Sequence, residues 1–487
     1  MSSAPSVLDR YSQYEAVIGI EVHVQLLTAS KIFCTCANTV SKEPNSNICP
    51  VCMGYPGTLP FLNERVVDCG ILAALATNSL INRTNVFARK HYFYPDLPKN
   101  YQITQSDLPI AIDGYVPIIL PDGSIKNVRL TRIHMEEDAG KSVHASASNE
   151  SFVDLNRAGT PLLEIVTQPD LANGYEVKAY LRELRAMVQY LGICSGNMED
   201  GAFRADTNIS VRKKGATKLG TKCELKNINS FKFIADAIEY EIERQIELIE
   251  SGGSVRQETR LWDTKNKKTT VMRSKEEAAD YRYVLDPDLP LLQIDDSWID
   301  RIKVQLPELP FAKYQRFIKE LGLTSYEAEI LTEDQALAQF VESTMQLHSS
   351  KLVANWILRD MLGYLKEHKI PLAEFKITPA HLAQLTRMLE AGKINARAAQ
   401  EVFAECAQTG AWPEAIVKER GLEQVGSIEE LESIIKELVS TSQEQVAQYK
   451  AGNERLFGYF VGQAMQKTKG KGDPKVIQEL LKKHLNS

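Results

Sequence analysis

The sequence predicts an α+β fold in which a largely antiparallel-sheet domain is followed by an all-helical middle domain and a small helical tail domain. Residues 14–27 alternate between apolar side chains on one face and polar side chains, among them Glu21 and His23, on the other. This period of two is typical of a strand that buries one side. Similar alternation recurs at 127–138, 202–212 and 222–227, and a shorter apolar strand is predicted at 161–170. Strands with one polar face, interrupted by helices, favour an antiparallel sheet.

Helical patterns lie between these strands and after them. In the sheet domain they cover residues 64–78, 175–191 and 231–250, with Asn63, Asn173 and Ser230 as candidate N-caps. Past Asp295 the alternation stops, and residues 325–369 and 378–408 have the pattern of bundle helices. We therefore expect three domains, at residues 1–295, 296–414 and 415–487.

Composition restricts the classes of protein to which the chain can belong. Its 487 residues are 44% hydrophobic and 25% charged with a net charge of −6, which is typical of globular domains and not of disordered or fibrous chains. No window approaches the roughly 18 consecutive apolar residues of a membrane span. The N-terminal residues contain no apolar signal core. We expect a cytoplasmic protein with no membrane partner.

Four of the eight cysteines form a C-x-C-x12-C-x-x-C pattern in the loop 34–52, namely Cys34, Cys36, Cys49 and Cys52. Two close pairs of thiolates across a short polar loop suit tetrahedral zinc. Four thiolates also close the coordination shell, which indicates a structural ion. Buried cysteines without metal and a redox pair are the alternatives. The other cysteines are scattered, so a reducing compartment fits better than a disulfide scaffold.

The polar face of the predicted sheet concentrates carboxylates and imidazoles. It carries Glu21, His23, Glu136, Asp206 and Glu224. Like charges on neighbouring strands repel, and a divalent cation would reverse that effect. Oxygen ligands suit Mg²⁺ with bound phosphates, so the pattern favours a metal–phosphate site. For any single one of these residues, a solvated sheet face is the alternative.

Further side chains on the same strands are candidates for binding phosphate. Strand parity selects Arg204, Asp206, Asn208 and Lys226 for ATP or an acyl phosphate, with Arg132 and Lys222 interleaved. The Gly140-Lys141-Ser142 sequence does not belong to a P-loop, because Met135 occupies the place of the required glycine. No serine or cysteine has a recognisable nucleophile context, so a covalent acyl-enzyme has no visible candidate.

Two further segments combine aromatic and basic residues. Residues 88–107 are dense in aromatic, basic and amide side chains, which is compatible with packing and equally with a substrate-facing loop. Residues 271–290 are predicted to form an irregular loop whose charged residues are available for ligand contacts.

Basic residues concentrate in two stretches of this acidic chain. From Arg204 to Lys232 there are eight Lys/Arg against two Asp/Glu, and from Lys450 to Lys483 there are eight against three. Such asymmetry favours a directed contact with a polyanion. The glycine-spaced lysines of 467–475 could follow a phosphate backbone. For the tail alone, a solvated helix face is equally compatible.

Long motifs spread over nearly the whole chain carry a more specific signal. They are IGIEVHVQL, the cysteine loop, ARKHYFYPDLPKNYQITQ, RIHMEEDAGKS, VDLNRAGTPLLEIVTQPD, MEDGAFRADTNISVR, GTKCELKNINSF, VANWILRDMLGYL and LFGYFVGQAMQKTKGKGDP. In colinear order they resemble the B subunits of the tRNA-dependent aspartyl/glutamyl amidotransferases. The family's cradle, helical and tail domains then correspond to the three predicted domains, and the tail is expected to reach the tRNA.

The resemblance implies an activity and partners. In this family Glu-tRNA(Gln), and often Asp-tRNA(Asn), is amidated: the B subunit phosphorylates the side-chain carboxylate with Mg-ATP, and ammonia displaces the phosphate. The enzyme would be a ligase that forms a C–N bond with glutamine as amido donor. The sequence has neither a Ser-Ser-Lys amidase signature nor a glutaminase cysteine triad. The resemblance assigns ammonia production to the glutaminase (amidase) partner, the family's A subunit, and its small C subunit completes a heterotrimer.

The resemblance also implies roles for individual residues. It places Mg²⁺ and catalysis at Glu21, His23, Glu137 and Glu164, with Glu136 close by and Lys90 beside the same site. Strand alternation, however, places Glu136 and not Glu137 on the face of His134. A bulge at the end of that strand would bring both carboxylates inward.

Two other classes of function compete with this interpretation. The first is a free-standing ATP-dependent ligase for a small carboxylic acid, which would use the same polar sheet. The second is a zinc-stabilised RNA-binding scaffold without enzymatic activity, for which a carboxylate-rich face would be a poor RNA surface. Phosphate release that depends on Glu-tRNA(Gln) would support the amidotransferase, release with free glutamate would favour the small-acid ligase, and no ATP turnover would favour the scaffold.

Overall fold

A computed structural model describes residues 7–144, 150–274, 281–423, 428–453, 455–468 and 474–486. The chain divides into two compact units, Met1–Lys313 with Glu333–Gln335, and Tyr314–Thr332 with Ala336–Ser487. The first unit extends past residue 295, and the expected boundary at 414 falls within a helix, Pro413–Arg420. The three-domain division stays a prediction.

Strands are confined to the first 293 residues of the described chain. In chain order they are β1 (Tyr14–Gln25), β2 (Leu80–Ile81), β3 (Thr84–Asn85), β4 (Ala88–His91), β5 (Tyr101–Thr104), β6 (Ala111–Ile112), β7 (Tyr115–Ile119), β8 (Ile125–Glu137), β9 (Lys141–His144), β10 (Ser151–Asp154), β11 (Pro161–Thr167), β12 (Phe203–Lys213), β13 (Cys223–Lys226), β14 (Glu258–Asp263), β15 (Lys268–Ser274), β16 (Val284–Leu285) and β17 (Leu292–Gln293).

Helices flank the strands and make up the second unit. In chain order they are α1 (Val7–Arg10), α2 (Glu64–Ala76), α3 (Gly174–Tyr190), α4 (Phe231–Glu250), α5 (Asp296–Lys303), α6 (Pro310–Leu321), α7 (Ser325–Thr332), α8 (Gln335–Leu347), α9 (Lys351–Trp356), α10 (Leu362–His368), α11 (Pro379–Glu390), α12 (Ala396–Thr409), α13 (Pro413–Arg420), α14 (Ile428–Thr441), α15 (Gln443–Lys450), α16 (Leu456–Lys467) and α17 (Pro474–Asn486). A π-helical turn, Ile357–Met361, joins α9 to α10, and a 3₁₀ turn, Leu372–Glu374, precedes α11.

The main sheet has the strand order β15-β14-β13-β12-β1-β11-β8-β6-β2, and β7 also pairs with β8. Its neighbouring strands run antiparallel except β13 and β14, which run parallel. This confirms the predicted α+β class with a largely antiparallel sheet. Residues 271–290 are not wholly irregular as predicted: they contain the end of β15 and all of β16, while 275–280 lie outside the described residues.

The central strand β1 has the two faces that its sequence predicts. Its even-numbered side chains from Tyr14 to Val24 are buried, and its odd-numbered ones are half-buried. The buried face packs against α2, α3 and α4 in one continuous core that includes Ile18, Val22 and Ile238. Because helices cover only this face, the opposite, polar face is left for a ligand site.

The three predicted helices of the first unit are confirmed, and two of the three predicted N-cap residues make a side-chain capping hydrogen bond. Asn63 accepts a hydrogen bond from the backbone N–H of Arg65, and Asn173 accepts one from that of Glu176. Both satisfy helix-end donors that would otherwise be unpaired. Ser230 occupies the N-cap position of α4, as predicted, but its side chain makes no capping hydrogen bond.

The second unit is built from helices, as predicted. Residues 325–369 and 378–408 form α7 to α12. Helices α14 to α17 enclose a separate apolar core that contains Leu431, Phe460 and Leu481. Within the lysine segment 467–475, residues 469–473 lie outside the described part of the chain. Over the described residues, no helix combines the length and apolar character needed to span a membrane.

Candidate active site

Side chains from four strands meet on the polar face of the main sheet. Strand β1 pairs with β11 and β12, and β11 pairs with β8, so a row of facing residues crosses the sheet. The row runs from His134 through Glu164 and His23 to Arg204. Because successive side chains alternate between faces, strand pairing alone fixes which residues share this row.

The centre of the site is a carboxylate–imidazole cluster formed by His23, His134, Glu136 and Glu164. Nε2 of His23 lies 3.3 Å from Glu164 Oε2 and 3.5 Å from Glu136 Oε1. Nε2 of His134 lies 3.2 Å from Glu164 Oε2 and 3.6 Å from Glu136 Oε2. Within the described chain, no lysine or arginine nitrogen lies within 4.0 Å of either carboxylate. Imidazoles therefore take the place that permanent cations would have in an ordinary ion pair.

Burial and charge oppose each other in the cluster. Burial disfavours the protonated form of His134, but the charge of Glu164 and the contact with Glu136 prevail and raise the pKa of His134 to about 9. The same balance raises the pKa of His23. Although burial favours the neutral acid, His134 and His23 hold the pKa of Glu164 well below its usual range. The cluster therefore holds ionised carboxylates at neutral pH.

Glu21 lies in the next row of the polar face, and its pKa shifts in the opposite direction to that of Glu164. Burial, followed by the charges of Glu164 and Asp206, raises the pKa of Glu21. Its Oε1 accepts a hydrogen bond from Asn208 Nδ2 at 3.1 Å. A divalent cation nearby would remove the repulsion that raises this pKa.

Lys226 neutralises two carboxylates on the far side of the same face. Its Nζ donates to Asp206 Oδ2 at 2.7 Å and lies 3.1 Å from Glu224 Oε1. Burial disfavours the ammonium, yet Asp206 and then Glu224 raise the pKa of Lys226. Asp206 and Glu224 therefore have a cation supplied by the protein, unlike the carboxylates of the cluster.

A cavity of about 470 Å³ lies over this face. The predicted site residues that line it are Glu21, His23, Lys90, Glu164, Asp206, Asn208 and Lys226. Other cations at its wall are Arg132 and Lys222. The cavity thus combines acidic metal-ligand candidates with basic groups suited to phosphate oxygens.

A small sheet of β5, β4 and β16 supplies the other wall of the cavity. Thr104 Oγ1 donates to Glu136 Oε2 at 3.1 Å, and Lys90 Nζ lies 4.8 Å from the ring centre of Tyr281. Burial disfavours the Lys90 ammonium, but the charge of Glu136 prevails and raises the pKa of Lys90. Segment 88–107 therefore faces the cavity, which favours the substrate-facing alternative over mere packing.

Glu137, a predicted ligand, lies outside the lining of the cavity. Its Oε1 accepts a hydrogen bond from the Ile103 N–H at 2.9 Å and is paired with Lys99. Strand β8 keeps its register with β11 from Glu137 to Arg132, and the irregularity lies further on, at Val166/Thr167 of β11. The paired end of β8 therefore has no bulge that would bring both carboxylates inward, and Glu136 alone joins the cluster.

Arg204 also has its charged end away from the cavity. Its guanidinium lies 3.0 Å from Asp138 Oδ2, where Gln25 Nε2 donates to the same oxygen at 3.0 Å. Arg204 adjoins His23 in the sheet and lowers the pKa of that imidazole only as a minor effect. A direct phosphate contact would require its side chain to leave Asp138.

The four cysteines of the loop come together as predicted. Their sulfur atoms all lie within 4.8 Å of one another. The Sγ atoms of Cys49 and Cys52 are 3.8 Å apart, which is too long for a disulfide and matches the edge of about 3.8 Å in a tetrahedron with Zn–S bonds of about 2.3 Å. The geometry and the donor set therefore fit zinc.

A fully buried lysine lies against the cysteine cluster. Lys31 is 1% exposed, and its Nζ donates to the Asn47 carbonyl at 3.0 Å and lies 3.9 Å from Cys52 Sγ. Hydrogen bonding with Cys34 and the charge of Lys31 help to lower the pKa of the Cys52 thiol to about 5. A buried ammonium needs a negative partner, and a thiolate cluster supplies one.

The cluster on the polar face also fits a hard divalent cation. One donor atom from each of His23, Glu136 and Glu164 lies within 4.8 Å of the other two. Two carboxylates with one imidazole leave room for further ligands, as Mg²⁺ and its phosphate substrates require. The open cavity beside them provides that room.

Several residues of the two sites have no recognisable functional signal in the sequence. Alternation puts His134 on the polar face but indicates no role for it, and Thr104 reaches the cluster because β5 folds over β8. Nothing in the sequence indicates that Lys31 belongs to the cysteine site, because a single lysine in a loop looks like an ordinary surface residue. All three depend on contacts between segments distant in sequence.

Comparisons with known proteins agree along nearly the whole chain. A model of the GatB/GatE catalytic domain matches residues 16–300, and a model of the GatB domain matches residues 339–485. Among curated relatives, the B subunit of the aspartyl/glutamyl-tRNA(Asn/Gln) amidotransferase of Geotalea uraniireducens is 52% identical over 478 residues, which is 97% of this chain and 100% of that protein. The proteins of the same name from Thermodesulfovibrio yellowstonii and Myxococcus xanthus are both 49% identical, over 97% of this chain and 99% of theirs.

Proposed function

The chain belongs to the GatB family of amidotransferase B subunits, and from this premise we propose that it activates the side-chain carboxylate of an aminoacyl-tRNA. The substrate is Glu-tRNA(Gln), Asp-tRNA(Asn) or both, and the product is Gln-tRNA(Gln) or Asn-tRNA(Asn). The enzyme is a ligase that forms a C–N bond with glutamine as amido donor. Phosphorylation by ATP converts the carboxylate to an acyl phosphate, and ammonia then displaces the phosphate.

The observation that carries this proposal is the cavity over the polar face. A carboxylate–imidazole cluster lies beside Lys90 and Lys226, so the proposed metal ligands and the proposed phosphate-binding cations adjoin one continuous space. A carboxylate cannot release oxide to ammonia, whereas phosphate is a stable leaving group. Charge accumulates between two anions in that transfer, and preorganised positive groups stabilise it.

Particular residues carry particular roles in the proposal. The proposed catalytic set is Glu21, His23, Glu137, Glu164 and Lys90, and the ATP or acyl-phosphate set is Arg204, Asp206, Asn208 and Lys226. Mg²⁺ would be held by Glu21, His23, Glu136, Glu137 and Glu164, and it would offset the negative charge of the reacting phosphates. Of these, Glu137 and Arg204 would first have to leave Lys99 and Asp138.

The wall formed by β4, β5 and β16 has a protective function in this scheme. An acyl phosphate is hydrolysed by water, so its site must be covered. Tyr281 and Tyr283 line the cavity opposite the sheet, and burial raises the pKa of Tyr283, which keeps it neutral. Neutral rings can exclude water without competing for the metal.

The proposal assigns the other components to partners and to structural ions. Ammonia comes from the glutaminase (amidase) A subunit, with the small C subunit completing a heterotrimer, in the cytoplasm where aminoacyl-tRNA is made. Zinc bound by Cys34, Cys36, Cys49 and Cys52 is structural. The basic stretch 450–483 is proposed to contact the tRNA, and its binding would weaken steeply with salt.

The test uses the full chain assembled with its partner subunits, ATP and labelled Glu-tRNA(Gln). Glu21→Gln should lower tRNA-dependent phosphate release by about 100-fold or more, because a carboxylate proposed to hold Mg²⁺ at the reacting phosphates is lost. Glu15→Gln is the matched control, since Glu15 lies on the same strand face, pairs with Arg212 at 2.6 Å and is remote from the cluster.

Three results would contradict the proposal. Phosphate release that needs only free glutamate would favour a small-molecule ligase. No ATP turnover by the wild-type complex would favour an RNA-binding scaffold. Equal turnover by Glu21→Gln and Glu15→Gln would show that the polar face takes no part in the reaction. The glutaminase activity of the partner should persist in both variants.

A further inference from the structure

The cations of β12, of β13 and of the loop between them fall into two groups. One group has carboxylate partners: Arg204 pairs with Asp138, Arg212 with Glu15, and Lys226 with Asp206. The other group is exposed and consists of Lys213, Lys214, Lys218 and Lys222. Within the described chain, no carboxylate oxygen lies within 4.0 Å of the ammonium nitrogens of these four lysines. Residues 213–222, here called the lysine loop, therefore carry positive charges that the fold leaves uncompensated.

Three contacts anchor the lysine loop to the sheet. The N–H of Lys214 donates to the Gln13 carbonyl at 2.8 Å, and the guanidinium of Arg212 donates to the Thr217 carbonyl at 3.4 Å. Gly220 packs so tightly against β12 that a Cβ at this position would collide with a backbone carbonyl oxygen of that strand. The lysines therefore extend from an anchored backbone, which lowers the entropy that the loop loses when a ligand binds.

The composition of the lysine loop suits phosphate groups. Its sequence, KKGATKLGTK, contains no acidic and no aromatic residue, and Leu219 is its only large apolar side chain. Lysine ammonium groups, threonine hydroxyls and backbone N–H groups are usual donors to the phosphate oxygens of nucleic acids. Protein–protein interfaces are by contrast depleted in lysine and enriched in aromatic residues. The loop therefore fits a nucleic-acid backbone better than a protein partner.

The position of the loop restricts what its ligand can be. Lys222 lines the cavity over the polar face, whereas Lys213, Lys214 and Lys218 lie outside that lining. Lys213 pairs with the first residue of β1, about 30 Å along that strand from His23. A ligand that enters the cavity and also contacts these three lysines must extend beyond the cavity. An aminoacyl-tRNA has this form, because its amino acid is attached to the 3′ end of a long polyanion.

We propose that the lysine loop binds the phosphate backbone of the tRNA whose aminoacyl end enters the cavity. The inference rests on the proposed function, and it adds a contact in the first unit to the one proposed for residues 450–483. Phosphate contacts fix the position of a nucleic acid but carry no sequence information. The loop therefore positions the acceptor end of the tRNA and does not select between tRNA species.

The test removes three charges that lie outside the cavity. The variant Lys213→Gln/Lys214→Gln/Lys218→Gln leaves Lys222 and the cavity lining intact. Substitutions of exposed side chains such as these have little effect on folding. The variant is assembled with its partner subunits, and the Kd for tRNA(Gln) is measured by fluorescence anisotropy over a series of salt concentrations. The Kd for Mg-ATP is measured by calorimetry.

The matched control removes the same charge from another part of the first unit. It is Lys265→Gln/Lys267→Gln/Lys268→Gln, at the turn between β14 and β15, where all three lysines are exposed. Strand β13 leads away from the lysine loop and β14 runs parallel to it, so this turn lies at the opposite end of those strands. A general effect of net charge on tRNA binding would appear equally in both triple variants.

We expect the loop variant to raise the Kd for tRNA about tenfold or more at about 0.1 M salt. The slope of log Kd against log salt concentration should fall by about 2 to 3, since each lost phosphate contact removes roughly one released counterion. The control variant should keep the wild-type Kd and slope, and the Kd for Mg-ATP should be the same in all three proteins.

Four results would overturn the proposal. They are an unchanged salt slope in the loop variant, an equal change in the control variant, a Kd for Mg-ATP that rises as much as that for tRNA, and loss of assembly with the partner subunits. The third would assign the loop to the nucleotide, and the fourth would assign it to a protein interface. A wild-type complex that binds tRNA through the loop but hydrolyses no ATP would count against the proposed function alone.

Discussion

Lys31→Met should weaken zinc binding by the cysteine loop. Four thiolates and Zn²⁺ carry a net charge of −2, and Lys31 is the buried cation beside them, 3.9 Å from Cys52 Sγ. Methionine has nearly the same length and is apolar, so the variant removes the charge while the buried space stays filled.

The size of the effect follows from the distance. Two unit charges about 4 Å apart interact by about 4 kcal/mol at an effective dielectric constant of about 20, which corresponds to about 1,000-fold in affinity as an upper bound. Substitution of outer residues at metal sites usually costs about 10–100-fold. We expect zinc affinity to fall within that range for Lys31→Met.

The assay measures metal directly. Zinc is titrated from the full chain with a chromophoric chelator under reducing conditions, and cobalt substitution reports the thiolate ligands by absorption. Lys42→Met is the control, because Lys42 lies in the same loop and is exposed. Equal zinc affinity in the two variants would refute the electrostatic argument. A wild-type chain that binds neither zinc nor cobalt would show that the cysteine loop is not a zinc site.

Two further predictions concern stability and tRNA binding. Glu241 is 0% exposed and accepts hydrogen bonds from Arg244, Gln245 and Thr269, so Glu241→Gln should lower the free energy of unfolding by about 3–5 kcal/mol at pH 7. Burial opposes ionisation, but Arg244 prevails and lowers the pKa of Glu241; this stabilisation is therefore complete above pH 4.5 and lost as pH falls through the folded pKa, and urea unfolding that shows the same difference at low pH would contradict it. Deleting residues 415–487 should weaken tRNA binding and flatten its salt dependence while the first unit keeps its metals; an unchanged Kd across a salt series would reject a tail contact.

Much of the fold and part of the site could be predicted because strand periodicity is local. Alternation along 14–27 fixes which side chains of β1 face the core, and the structure agrees. The same rule placed Glu136 with His134, and the unbroken register of β8 to Glu137 explains why the rule held at the end of the strand. The resemblance to the family points to both Glu136 and Glu137. The alternation of side chains along β8 is what tells them apart, because it places only Glu136 on the face of His134.

The remaining features depend on pairings that no local pattern encodes. Lys99 lies 38 residues before Glu137 in the sequence, and its ammonium group pairs with the Glu137 carboxylate. Asp138 likewise holds Arg204. Which acid meets which base depends on how segments distant in sequence pack together, and many alternative pairings would satisfy the same sequence.

The distribution of these pairs separates the acids on and around the polar face into two groups that differ in their ability to bind a metal ion. Within the described chain, Glu137 pairs with Lys99 and Asp138 with Arg204, while Asp206 and Glu224 share Lys226. A metal that approached them would compete with a permanent charge held by the fold. Glu136 and Glu164 instead contact imidazoles, which lose their charge by releasing a proton, and Glu21 accepts a hydrogen bond from the Asn208 amide. A cation can enter this second group without breaking an ion pair to lysine or arginine, so the acids best able to accept magnesium are those that the fold has left with removable partners.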